Sequence, residues 1–154
     1  MAVRGLAHAA IQAKDYRATL NFYQEALGFR VAHSWSLPAF SIREASLLVS
    51  PDKRTCIEVF GPEADIPAQG RPAAAGEEIV HGALLHLAFY VDDAEQSYRH
   101  AIACGAKPLI GPEVLALGNP VMTVRNALVH SPNGEVLEFM EEIDFDSLRP
   151  DSME

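Results

Sequence analysis

One pattern occurs twice in this chain, and that duplication constrains the fold more than any other feature. Gly5-Leu-Ala-His8-Ala-Ala-Ile-Gln12-Ala-Lys-Asp15 reads like Ala83-Leu-Leu-His86-Leu-Ala-Phe-Tyr90-Val-Asp-Asp93, with the two histidines 78 positions apart. Each stretch is an apolar run of strand length that closes on an Asp suited to cap a helix. Tyr16, Leu20, Tyr23 and Leu27 then recur at helical spacing until Gly28 stops the run; Ala94, Tyr98, Ala101 and Ile102 do the same up to Gly105. Three strand-like stretches follow each helix. The first set is 29–35, 40–50 and 55–60, with a Pro51-Asp52-Lys53 turn; the second is 108–114, 121–130 and 135–140, with Ser131-Pro-Asn-Gly134 as its last turn. The order βαβββ thus appears twice, which predicts an α+β fold. Residues 1–60 form the first expected module and 83–142 the second. Between them 61–82, with Gly61, Gly70, Gly76, Pro62, Pro67 and Pro72, reads as a surface linker, and 143–154 as an acidic tail.

Composition narrows the function classes. At 154 residues the chain is long enough for one real core, and about half its residues are apolar. The longest apolar run, 83–91, is interrupted by His86 and falls far short of the ~20 residues a membrane helix needs. The N-terminal sequence leads straight into strand-like residues with no hydrophobic signal segment, so export is not expected. Only Cys56 and Cys104 are present, too few for a disulfide framework, and a reducing cytoplasm is the natural compartment. A formal charge of −9 without a local Lys/Arg cluster disfavours nucleic acid and anionic lipid as partners.

Each half ends on a strand of one design, Cys56-Ile-Glu58-Val-Phe60 and Val136-Leu-Glu138-Phe-Met140, with the two carboxylates 80 positions apart. A carboxylate held among apolar neighbours without a partner costs several kcal/mol or becomes protonated, so its double appearance calls for a partner, and a divalent cation is one. A lone His in an apolar strand is usually a hydrogen-bonded core residue, and a lone Glu at a strand end is usually solvated. The recurrence of both at matching separations favours a metal site instead. His8, Glu58, His86 and Glu138 form a mixed N/O set suited to Zn, Ni, Co, Mn or Fe. His33, His81, His100 and His130 lack this support. Alternation places Cys56 on the strand face of Glu58, where a small core residue is expected.

These residues resemble the vicinal oxygen chelate superfamily, which includes glyoxalase I, a methylmalonyl-CoA epimerase, fosfomycin-resistance transferases, extradiol dioxygenases and bleomycin-binding proteins. The likeness spans residues 5–142, and its most specific pieces are Asn21-Phe-Tyr-Gln-Glu-Ala-Leu-Gly28-Phe and Ser131-Pro-Asn-Gly-Glu-Val-Leu-Glu138-Phe. It implies a cupped mixed sheet, built from the two modules around one divalent metal, and a homodimer whose site is made within one chain or across two. The order His8, Glu58, His86, Glu138 is that of bacterial glyoxalase I. Extradiol dioxygenases resemble a three-ligand version in which the Glu58 position is not a ligand, and the epimerase typically has Gln there.

The resemblance further implies a lyase or isomerase that stabilises an oxyanion beside a metal-bound carbonyl. Glu138 corresponds to a ligand that leaves the metal to shuttle the proton, with Glu58 as its counterpart. A thiol cosubstrate is less expected. Glutathione-using relatives commonly carry Arg four residues after the first His and Asn four after the first Glu, where this chain has Gln12 and Pro62; Arg43 or Arg125 would have to serve instead. The alternatives are a small-molecule binding or resistance protein, with Trp35, Phe40 and Tyr90 lining its pocket, and an Fe(II) dioxygenase.

Overall fold

A computed structural model describes residues 6–66, 82, 84–117 and 121–141. Most of the expected linker, His81 and the acidic tail lie outside the described residues. The described residues divide into two compact units, one comprising 6–66, 82, 84–85 and 132–134 and the other 86–117, 121–131 and 135–141.

In the first unit, β1 (Ala9–Gln12) runs into α1 (Tyr16–Glu25), and β2 (Arg30–Leu37), β3 (Ile42–Val49) and β4 (Cys56–Phe60) follow. The strands form one mixed sheet in the order β1-β4-β3-β2, with β1 parallel to β4 and the remaining pairs antiparallel. Asp15 caps α1 as its sequence position predicts, its Oδ1 accepting from Ala18 N–H at 3.0 Å. Gly28 follows at φ +71°, a conformation side chains with a Cβ rarely adopt, and an added Cβ would meet Pro51 at 3.3 Å. The buried stripe of α1 is Tyr16, Thr19, Phe22 and Tyr23, with Leu20 and Leu27 only half-buried. It is therefore rotated from the expected stripe: the helix is ten residues long, and Phe22 and Tyr23 both turn inward, in edge-to-face contact with each other and, through Tyr23, with Phe29.

The second unit repeats this plan with β5 (Leu87–Val91), α2 (Ala94–Ala103), β6 (Lys107–Leu117), β7 (Met122–His130) and β8 (Val136–Glu141). The sheet order is β5-β8-β7-β6, again with the first strand parallel to the last. Asp93 caps α2 by accepting from Gln96 N–H at 2.9 Å. Among the described residues two four-stranded mixed sheets, each with one α-helix, make the fold α+β, as the repeat predicts. The main departure is local: the stretch expected as a strand from residue 40 opens instead with a 3-10 turn at Pro38–Phe40. Proline fixes φ there, and Ser41 at φ 54° donates its N–H back to the Pro38 carbonyl at 3.0 Å. Among the described residues no helix is long and apolar enough to cross a membrane.

Candidate metal centre

Strand alternation decides which side of each sheet carries the chemistry. In the first unit Ser46 faces the helix, because its Oγ is hydrogen bonded to the Tyr16 hydroxyl of α1. Ser46 pairs with Val59 and Leu48 with Ile57, so those residues share the helix side, all of them buried. Leu47, paired with Glu58, and Ala45, paired with Phe60, point to the opposite side. In the second unit Arg125 reaches toward Glu95 of α2 at 3.4 Å and toward Glu141 at 3.7 Å, which marks the helix side. Asn126, Leu128 and Glu138 lie on the other. Both glutamates thus occupy the helix-free face of their sheet.

Each glutamate meets its histidine there. His8 and His86 sit one residue before β1 and β5, and the parallel pairing sets Ala10 beside Glu58 and Ala88 beside Glu138. His8 Nε2 is 3.2 Å from Glu58 Oε1, and His86 Nε2 is 3.2 Å from Glu138 Oε2. The carboxylates are 19% and 16% exposed and the imidazoles 41% and 42%, so the two pairs are near copies in burial as well as in distance. Two donors about 2.1 Å from one ion, subtending a tetrahedral or octahedral angle, stand about 3.0–3.4 Å apart, and 3.2 Å lies within that range. The donor set and spacing therefore fit a divalent cation. The structure brings His8 to Glu58 and His86 to Glu138, each within its own unit, and among the described residues no group of three or more His, Cys, Asp or Glu side chains gathers.

The surroundings of the two pairs differ. Asn126, 4% exposed, donates its Nδ2–H to Glu138 Oε1 at 2.8 Å. The corresponding position in the first unit is Ala45. Asn126 is not legible from the sequence, because its side and partner depend on hairpin register. Once the Ser131–Gly134 turn is taken as a hairpin, pairing Leu128 with Glu138 also sets Asn126 against Met140.

Gln12 has a structural task. Its Nε2 donates to the carbonyls of Gly61 at 3.3 Å, Pro62 at 3.1 Å and Ala64 at 3.0 Å. Of the arginines considered for substrate recognition, Arg43 pairs with Glu63 at 2.7 Å and Arg125 is directed to the helix side. Cys56 shares the face of Glu58 and is half-buried. His33 stacks on Trp35 with ring centres 5.8 Å apart and, paired with Leu47, lies on the Glu58 side of the sheet. Trp35 in turn meets Phe60 edge to face and packs against the cluster of Ile42, Ala45 and Phe60. Phe40 and Tyr90 are exposed. His100 lies 3.9 Å from Cys104 Sγ on α2, and His130 ends β7.

A family model described as the Glyoxalase/Bleomycin resistance protein/Dioxygenase superfamily matches residues 5–139. The uncharacterized protein YwbC of Bacillus subtilis (strain 168) is 29% identical over 135 residues, 87% of this chain and 94% of that protein. Among solved structures, glyoxalase I from Zea mays superposes with a TM-score of 0.65 at 17% identity, over 90% of this chain and 45% of that one. The fosfomycin resistance protein FosX from Listeria monocytogenes, in complex with Mn(II) and sulfate, gives 0.60 at 15% identity, over 96% and 100%.

Proposed function

Because the chain belongs to the Glyoxalase/Bleomycin resistance protein/Dioxygenase superfamily, we propose that it is a metal-dependent lyase or isomerase that removes a proton beside a substrate carbonyl. The observation that carries this reading is the duplicated His–Glu pair, at 3.2 Å in both units and on the helix-free face of both sheets. His8, Glu58, His86 and Glu138 would together hold one divalent ion, the two pairs coming from one chain or from two copies of it. Such an ion, when bound, supplies Lewis-acid polarisation of the carbonyl.

The protein's own part is to position and to accept a proton. Imidazoles hold the site as neutral nitrogen donors, and a ligand carboxylate, Glu58 or Glu138, takes the proton from the carbon next to the carbonyl. Apolar neighbours on the same face, Leu47 and Leu128, restrict water around the carboxylates. The substrate class is a small α-hydroxycarbonyl adduct such as a thiohemiacetal, with glutathione disfavoured because Gln12 is spent on loop carbonyls.

A second reading, capture of a small molecule without turnover, draws on the exposed Tyr90, whose strand position puts it on the His86 side of β5. The test that separates them is exchange of solvent deuterium into a methylglyoxal–thiol adduct by metal-loaded protein. Catalysed exchange supports the lyase or isomerase; retained metal with no exchange supports the binding protein.

A further inference from the structure

Asn133 is followed by Gly134 in the turn between β7 and β8, and its side chain is engaged by the first unit, to which Pro132–Gly134 belong. Asn133 Oδ1 accepts the Lys14 N–H at 2.8 Å, and Asn133 Nδ2–H donates to the Gln12 carbonyl at 3.1 Å. We propose that Asn133 is a deamidation site, that its docking on the end of β1 restrains the reaction, and that conversion releases that end irreversibly.

Strand β1 lies at an edge of its sheet, in the order β1-β4-β3-β2. Just past its end the Ala13 N–H donates inward to the Phe60 carbonyl at 2.8 Å, so the Gln12 carbonyl and the Lys14 N–H on either side point outward. The Asn133 amide meets both, as the peptide groups of a neighbouring strand would. An amide can do this because it donates and accepts at once, whereas an ionised carboxylate only accepts. The duplicated turn between β3 and β4 shows the alternative. It reads Ser50-Pro51-Asp52 where the other reads Ser131-Pro132-Asn133, and Asp52 folds back on its own turn, accepting from the Ser50 hydroxyl and the Arg54 N–H.

Of the four asparagines, Asn21 lies inside α1, Asn126 lies inside β7, and Asn119 precedes Pro120, which has no N–H. Asn133 precedes a glycine. Gly134 is exposed, and nothing stands within 4 Å of where its Cβ would be, so the approach to its backbone is open. In the reaction the Gly134 nitrogen attacks Asn133 Cγ. The N–Cγ bond forms, the Cγ–Nδ2 bond breaks, and the amide leaves as ammonia carrying the Gly134 proton. Water then opens the five-membered imide at one of its two carbonyls. One opening gives aspartate; the other gives isoaspartate, in which the main chain runs through the former side chain and is longer by one methylene. No oxidant or reductant takes part. The side chain must first leave β1 and turn to Gly134, so the docked form is protected. Afterwards the carboxylate has no donor for the Gln12 carbonyl, and the isoaspartate turn no longer matches the strand end. The release falls on the strand that follows His8.

The full chain, held in mildly alkaline buffer with and without urea, provides the test. Peptide mass spectrometry locates the conversion, an isoaspartyl methyltransferase used as a reagent counts isoaspartate, and hydrogen exchange of the Lys14 amide is followed in the separated isoaspartate form. Conversion is expected at Asn133 ahead of the other asparagines, and about tenfold or more slowly without urea, because two hydrogen bonds must open first. The Lys14 amide should exchange about tenfold or more faster once Asn133 is isoaspartate. Asn133 intact in both conditions, or converted after another asparagine, overturns the proposal. So does a rate without urea that equals or exceeds the rate in urea, and so does a Lys14 amide that exchanges at the parent rate in the isoaspartate form.

Discussion

Gln12 and Pro62 are bonded to each other, the Gln12 side-chain nitrogen lying 3.1 Å from the Pro62 carbonyl oxygen. These are the positions where glutathione-using relatives commonly carry Arg and Asn. Here neither offers a charge to the glutamyl end of the tripeptide. Initial rates with methylglyoxal adducts of glutathione and of a small neutral thiol should give a kcat/KM for glutathione no higher than for the small thiol. A clear preference for glutathione would show that other residues recognise it.

The same contact carries stability. Two N–H groups of Gln12 are shared among three carbonyls of the 61–64 loop. Gln12→Ala removes them at an exposed position, where water partly replaces them, so a loss of about 1 kcal/mol is expected. Urea unfolding checks this, and an unchanged midpoint would mean the loop needs no clamp.

A chain of hydroxyls ties α1 to its sheet: Tyr16 to Ser46, and Ser46 to Ser34 at 2.7 Å. Ser46 is fully buried. Ser46→Ala leaves two hydroxyls without their shared partner and should cost about 1–3 kcal/mol, whereas Ser34→Ala, at the exposed end, should cost less. Thermal unfolding of the two variants gives the order, and equal effects would contradict a linked chain.

Much of this architecture was legible because it obeys local rules twice. Asp15 and Asp93 cap helices through side-chain chemistry that needs no tertiary context, and Gly28 ends α1 because φ is positive there. The choice of His8, Glu58, His86 and Glu138 followed from apolar strands that each carried one out-of-place polar group, whereas their meeting as two pairs depends on the parallel registers of β1 with β4 and β5 with β8. What stayed hidden depended on register. Asn126 reaches Glu138 because it pairs with Met140, and β2 shifts register between Val31 and His33, which is what brings His33 to the face of Glu58. Gln12 was recognisable as a departure from relatives but not as a clamp, since its partners lie in a loop whose path the sequence does not specify.

The Pro51-Asp52-Lys53 turn should respond to pH. The Ser50 hydroxyl, and after it the Arg54 backbone N–H at 3.0 Å, hold the Asp52 carboxyl below its ordinary pKa. A lowered folded value means the fold favours the ionised form. Its contribution is fully present above the unfolded carboxylate range, near about pH 4, and is lost as pH falls through the lowered folded value. The stability difference between parent and Asp52→Ala should thus be constant near neutral pH and shrink in acid. A difference that widens on acidification would contradict the assignment, and denaturant unfolding across pH 2–7 would show it.

In the proposed centre the two His–Glu pairs act on one ion. Elemental analysis of protein purified without chelator, repeated after loading with zinc, nickel or manganese and removal of excess, tests it directly. About one divalent ion per chain is expected, with His86→Ala losing affinity while its fold persists, because a nitrogen ligand is removed and the carboxylates remain. Two ions per chain would mean that each pair works alone, and a chain that holds none of these metals after loading would contradict the metal centre altogether.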